Sequence, residues 1–156
     1  MASIDLEATL LSVLGEILAY INADFKPMCE NPEICVNSEE PINILIGIIG
    51  DLEGNILFGF EPETAKHIAG KLMGTKDLDD MDIFAEAALA DFCAELCKRF
   101  MLMVKIEHEL TASFPSYISG EEICGIIDDE YANKLFYKAG GKKSYITYNL
   151  EPTYGK

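Results

Sequence analysis

The chain has 156 residues, 49% of them hydrophobic, and its 27 acidic residues against 12 Lys and Arg give a formal net charge of −15. This length and composition predict one folded domain over residues 1–156, stable without disulfides or a structural metal. The charge repels phosphate backbones and anionic lipid, which argues against nucleic acid and membranes as partners. The acidic N-terminus and the lack of about 20 consecutive apolar residues predict a soluble, cytoplasmic protein.

The first half of the chain predicts a helix, a loop, two strands and a second helix. Apolar residues at helical spacing indicate a helix over residues 4–22, and the following loop is expected to contain at most one short strand, around Ile34–Val36. Residues 42–60 contain two β-rich runs, between which Gly54-Asn55 is predicted to form a turn. A helix then begins at Pro62 and ends at Gly74.

The second half predicts one long helix followed by strands. Residues 82–105 carry the longest helical pattern, Thr111 to Phe114 are predicted to be extended, and residues 133–139 and 143–151 predict a hairpin that turns at Gly140-Gly141. The fold class is therefore α+β, with long helices packed on a mostly antiparallel sheet. The C-terminal hairpin is expected to leave an exposed edge strand, which favours a homodimer.

The five cysteines do not suggest a metal or redox centre. No pair has C-x-x-C spacing, so reduced and mostly buried side chains are expected. Cys93 and Cys97 lie one helical turn apart, but His67 and His108 stand in unrelated segments. The common catalytic motifs of nucleotide-binding proteins, serine hydrolases and zinc proteases are also missing.

The stretch "LADFCAEL", residues 89–96, carries the clearest surface pattern of the long helix. Helical geometry places Asp91, Glu95 and Lys98 on one side with Ala94 between them. Glu95 is also spaced to form an ion pair with Arg99. The core side is predicted to consist of four apolar residues: Leu89, Phe92, Leu96 and Phe100.

Three segments, in order, resemble the CheX-like and CheC-like chemotaxis phosphatases. Residues 47–74 are similar to the strand, turn, strand and helix with which those proteins begin. Residues 87–96 fall at their signature helix, and "FPSYISG", residues 114–120, resembles a strand and turn that follow it. With the first helix and the C-terminal hairpin, the resemblance covers nearly the whole chain.

The resemblance implies a domain that acts on a phosphorylated CheY-type response regulator, with the magnesium ion on the regulator and no cofactor on this chain. In that family the signature helix presents a Glu and, three residues later, an Asn that orients the attacking water. These positions correspond to Asp91 and Ala94, and a small residue four positions further on corresponds to Lys98. Asp91 keeps the negative charge, whereas Ala94 has no group that can orient water.

Three hypotheses follow from this comparison. The first is that the domain binds a CheY-type regulator or an equivalent signalling partner through Asp91, Glu95 and Lys98, with weak or lost phosphatase activity. The second is an active phosphatase that uses Asp91 with an unconventional second residue such as Glu95. The third is a scaffold or ligand sensor built on the same fold.

Overall fold

Three helices and seven strands make up the computed structural model, which describes residues 5–28, 42–104, 109–118 and 133–153. Their chain order is that predicted from the sequence, with one additional strand before the first hairpin. The elements are α1 (Leu6–Tyr20), β1 (Phe25–Met28), β2 (Ile42–Gly50), β3 (Leu52–Phe60), α2 (Pro62–Leu72), α3 (Ile83–Val104), β4 (Leu110–Ala112), β5 (Ser116–Ile118), β6 (Asn133–Ala139) and β7 (Lys142–Pro152).

The strands form one antiparallel sheet in the order β1-β6-β7-β3-β2-β4, and β5 pairs with β2 beside β4. The three helices lie against one face of this sheet, where α3 contacts α1, α2 and β2. Alternate residues of each strand point into this layer because side chains alternate across a strand. On β2 these are Ile44, Ile46 and Ile48, all buried. The predicted α+β class is therefore confirmed.

The helices begin and end close to the predicted residues. Asp5 caps α1, since its carboxylate accepts a hydrogen bond from the backbone N–H of Ala8 at 3.0 Å. Asp82 plays the same role for α3, accepting from the N–H of Ala85 at 2.8 Å. Pro62 occupies the first turn of α2, and Gly74 follows that helix with a φ of 72°.

The turn of the first hairpin differs from the prediction. Gly54 and Asn55 lie inside β3, opposite Ile48 and Gly47, and the chain reverses around Asp51. Gly54 is required for a different reason, because a Cβ atom there would overlap the carbonyl oxygen of Asn149 on β7. The glycine therefore allows close approach between two strands.

The loop after α1 contains a strand that the sequence analysis missed. β1 pairs with β6 and forms one edge of the sheet. Pro27 lies in its middle, and proline in a strand is confined mainly to edges because it lacks an N–H donor. The strand expected around Ile34–Val36 lies outside the described residues.

The C-terminal hairpin turns at Gly140-Gly141, as predicted, with φ values of 60° and 78°. The expectation that it leaves an edge strand is wrong. β7 lies between β6 and β3, while β1 pairs with β6 along Phe136–Ala139. Pairing with β1 and β3 therefore places this hairpin inside the sheet.

A charged cluster fixes the connector between α2 and α3. The Nδ1 atom of His67 lies 2.7 Å from an Asp77 carboxylate oxygen, and Lys142 Nζ lies 3.4 Å from the other oxygen. Desolvation acts to raise the pKa of Asp77, but hydrogen bonds and charges from His67 and Lys142 outweigh it and lower this pKa below 3.8. The cluster joins α2, the connector and the start of β7.

Replacing Asp77 by Asn tests this cluster. A carboxylate with a lowered pKa in the folded state contributes stability above its unfolded pKa, and that contribution disappears as the pH falls. We expect Asp77→Asn to reduce the free energy of unfolding in urea near pH 7, and the deficit to shrink below about pH 4. Asp79→Asn, an exposed change in the same connector, should have little effect, and a deficit independent of pH would contradict this role.

Candidate functional site

One exposed stripe runs the length of α3. Its residues are spaced three or four apart and therefore lie along one side of the helix, over about 27 Å. We call this stripe the α3 face; it consists of Phe84, Ala88, Asp91, Glu95, Lys98 and Leu102, with Ala94 beside it. All are exposed except Ala88 and Ala94, which are partly buried.

Ala94 lies among the charged residues of the α3 face. It follows Asp91 by three positions and precedes Lys98 by four, so the three residues are neighbours on the helix surface. Its methyl group neither donates nor accepts a hydrogen bond. The centre of the α3 face thus offers charges but no amide.

Glu95 makes the predicted ion pair with Arg99. The Arg99 Nε donates to a Glu95 carboxylate oxygen at 3.2 Å, with nearly half of each side chain exposed. Such pairs contribute a few tenths of a kcal/mol. The contact directs the carboxylate along the helix toward Arg99.

The opposite side of α3 belongs to the core. The predicted inward residues Leu89, Phe92, Leu96 and Phe100 are all buried. Cys93 and Cys97 are buried free thiols, as predicted for this pair. Burial and the neighbouring Cys97 raise the pKa of Cys93, and burial raises the pKa of Cys97 to about 12, so both stay protonated at neutral pH.

The described residues contain no cluster of three or more His, Cys, Asp or Glu side chains that could hold a metal ion. Within the same ranges, no helix is long and apolar enough to cross a membrane. The other three cysteines, Cys29, Cys35 and Cys124, lie outside the described residues.

Apolar side chains at both ends of the α3 face were missed by the sequence analysis. Ile83 and Phe84 are 72% and 69% exposed at its start, and Leu102 and Met103 are 60% and 47% exposed at its end. The signal was present, because the spacing that relates Asp91 to Lys98 extends to Phe84 and Leu102. Exposed apolar side chains grouped on one surface are a common feature of protein-binding sites.

Tyr117 on β5 lies on the helix side of the sheet, because it pairs in register with the buried Ile44 on β2. Partial burial and, to a lesser extent, the charge of Glu86 on α3 raise the pKa of the Tyr117 hydroxyl to about 12. Tyr117 is 44% exposed.

Comparison with known proteins gives a consistent result, although no family model matches the chain. The CheY-P phosphatase CheX of Thermotoga maritima is 25% identical over 103 residues, which are 63% of this chain. The match spans about 65% of that relative's length.

Two solved structures show the same fold over nearly the whole chain. The chemotaxis protein CheX from Vibrio vulnificus has a TM-score of 0.74 at 14% identity and covers 97% of this chain and 99% of its own. CheX in the CheX-CheY-BeF3-Mg complex from Borrelia burgdorferi has a TM-score of 0.66 at 20% identity, and the match covers 94% of this chain and 95% of that CheX chain. The chain thus has the fold of the CheX/CheC-like chemotaxis proteins, and the family resemblance inferred from its sequence is confirmed.

Proposed function

We propose that this chain binds a CheY-type response regulator through its α3 face, as a cytoplasmic component of two-component chemotaxis signalling, and that its phosphatase activity is weak or lost. The observation that carries the proposal is the α3 face itself, exposed on the signature helix and containing Ala94 where the family resemblance places an asparagine. The CheX–CheY complex from Borrelia burgdorferi supports the choice of partner.

The chemical character of the α3 face suits protein docking. Phe84 and Leu102 offer apolar contacts at the two ends, where burial against a partner is favourable. Asp91 offers an exposed negative charge to a basic residue of the regulator. Charge complementarity of this kind increases association rate and selects among partners.

Ala94 is the reason to expect weak phosphoryl chemistry. Release of phosphate from an aspartyl phosphate depends on the placement of the attacking water and on charge stabilisation by magnesium, which we assign to the regulator. Loss of one well-placed catalytic hydrogen bond, such as that of an amide that positions the water, lowers the reaction rate by roughly 10²- to 10³-fold. A methyl group makes no such hydrogen bond.

The alternative, an active phosphatase that uses Asp91 and Glu95, is less well supported. Glu95 is one residue beyond the amide position, which rotates it about 100° around the helix. Its carboxylate contacts Arg99 at 3.2 Å and would add negative charge next to the phosphoryl group. Ala94 and Glu95 together therefore favour binding over catalysis.

Binding is tested by titrating the purified chain with CheY-type regulators from the same cell, with and without beryllofluoride. We expect Asp91→Arg to weaken binding about tenfold or more, because it replaces an attractive charge by a repulsive one. Glu16→Arg, an equal change of charge at an exposed site on α1, should have little effect. Failure of the unmodified chain to bind any such regulator would reject the proposed function.

Catalysis is tested by Ala94→Asn in a phosphate-release assay with phosphorylated regulator. We expect the unmodified chain to accelerate release little and Ala94→Asn to raise the rate by about tenfold or more, since Asp91 already supplies the negative charge of the motif. Ala87→Asn places the same amide on an exposed position two turns earlier and should not raise it. Fast release by the unmodified chain that is lost in Asp91→Ala would support the alternative.

We also propose that the chain forms a homodimer through the sheet edge made by β4 and β5, and not through the C-terminal hairpin. β4 and β5 pair only with β2 among the described strands, and Phe114 between them is 93% exposed. Sedimentation should give a dimer for the unmodified chain and a monomer for Phe114→Asp, because a charge there opposes burial of this edge. A monomer at all concentrations would reject the dimer.

A further inference from the structure

Three lysines lie side by side on the sheet face opposite the helices. Lys26 on β1 pairs in register with Lys138 on β6, which pairs with Lys143 on β7. Neighbouring strands are about 4.8 Å apart, so the three positions form one row across the sheet. We call it the lysine row, a local concentration of positive charge on a chain of net charge −15.

The positive charges of the lysine row are not held in ion pairs within the part of the chain that the structure describes. Lys26, Lys138 and Lys143 form no ion pair there, whereas the adjacent Lys142, on the helix side of the sheet, pairs with Asp77. Like charges directly opposite each other on neighbouring strands reduce stability. The row is therefore unfavourable for the fold itself.

Protection of the sheet edge accounts for only part of the row. Lysine and proline on an edge strand discourage pairing with other chains, which explains Lys26 and Pro27 on β1. Lys138 and Lys143 lie on strands with neighbours on both sides. Their charges need another explanation.

A second row next to the lysines is apolar and held in place. Met28, Phe136 and Tyr145 pair in register on the same face and are each half-buried. The rings of Phe136 and Tyr145 are 6.5 Å apart, and the Tyr145 hydroxyl donates to the buried Asn43 side chain at 3.1 Å. This apolar row is thus partly fixed before any partner arrives.

We propose that the lysine row and the apolar row together bind an acidic segment of a partner protein. Carboxylates of the segment would contact the lysines, and an apolar side chain would pack on Phe136 and Tyr145. The positive charge selects an acidic partner even though the whole chain is negative, because salt screens charges beyond about 8 Å at physiological ionic strength. The surface lies on the opposite side of the sheet from α3, so the proposal does not depend on regulator binding.

The test uses a fluorescent peptide of alternating Glu and Leu residues, titrated with the full chain and followed by anisotropy. Poly-L-glutamate and oligothymidine serve as comparison probes. We expect the alternating peptide to bind more tightly than the two comparison probes, and its affinity to fall as the salt concentration increases. Its affinity for Lys138→Glu should be lower by about tenfold or more. Lys76→Glu, the same change of charge on the exposed connector, should bind like the unmodified chain.

A stability measurement separates binding from a structural role. Lys138→Gln should unfold at the same or higher urea concentration while binding the peptide more weakly, because it removes repulsion within the row. Lower stability without a change in binding would overturn the proposal. The proposal would also be overturned if oligothymidine bound more tightly than the alternating peptide, if that peptide did not bind, or if Lys76→Glu and Lys138→Glu weakened peptide binding equally. A dimer that Lys138→Glu dissociates would overturn it as well, because it would assign the row to contact with a second copy of the chain.

Discussion

Burial of one side of α3 is the constraint on which the rest of the site depends. Phe92, Leu96 and Phe100 are almost fully enclosed between the other helices and the sheet. A helix shifted by one residue would rotate by about 100° and expose them. Packing therefore fixes the rotation of α3 about its axis, and with it the outward direction of Asp91. The α3 face is the part of the helix that the core leaves exposed, so the two cannot vary independently.

The sequence was sufficient for features that depend on local spacing. The periodicity of residues 82–105 predicted α3 and its two sides, because a helix repeats every 3.6 residues whatever it contacts. Gly140-Gly141 predicted the C-terminal turn, since two successive positive φ angles strongly favour glycine. Asp91, Glu95 and Lys98 were placed on one face for the same reason as the core residues. Their role, by contrast, came from family resemblance.

Features that depend on pairing between distant segments were not predictable. β1 has only four residues, one of them Pro27, and its partner β6 comes more than a hundred residues later. Gly54 looked like a turn residue because its contact with the Asn149 carbonyl is set by the β3–β7 register. The lysine row likewise exists only once three strands are aligned. Predicting contacts of this kind requires the order and register of the strands, and a short window of sequence does not contain that information.

The glycine at the tip of the C-terminal hairpin links distant parts of the molecule. A Cβ atom on Gly140 would overlap the His67 ring, whose other side holds Asp77 in the segment leading to α3. The hairpin tip, α2 and this segment therefore share one steric contact. Any side chain introduced at Gly140 would have to displace the imidazole, and with it the contact between His67 and Asp77. Because Gly140 has no side chain, the C-terminal hairpin can pack directly against His67 on α2.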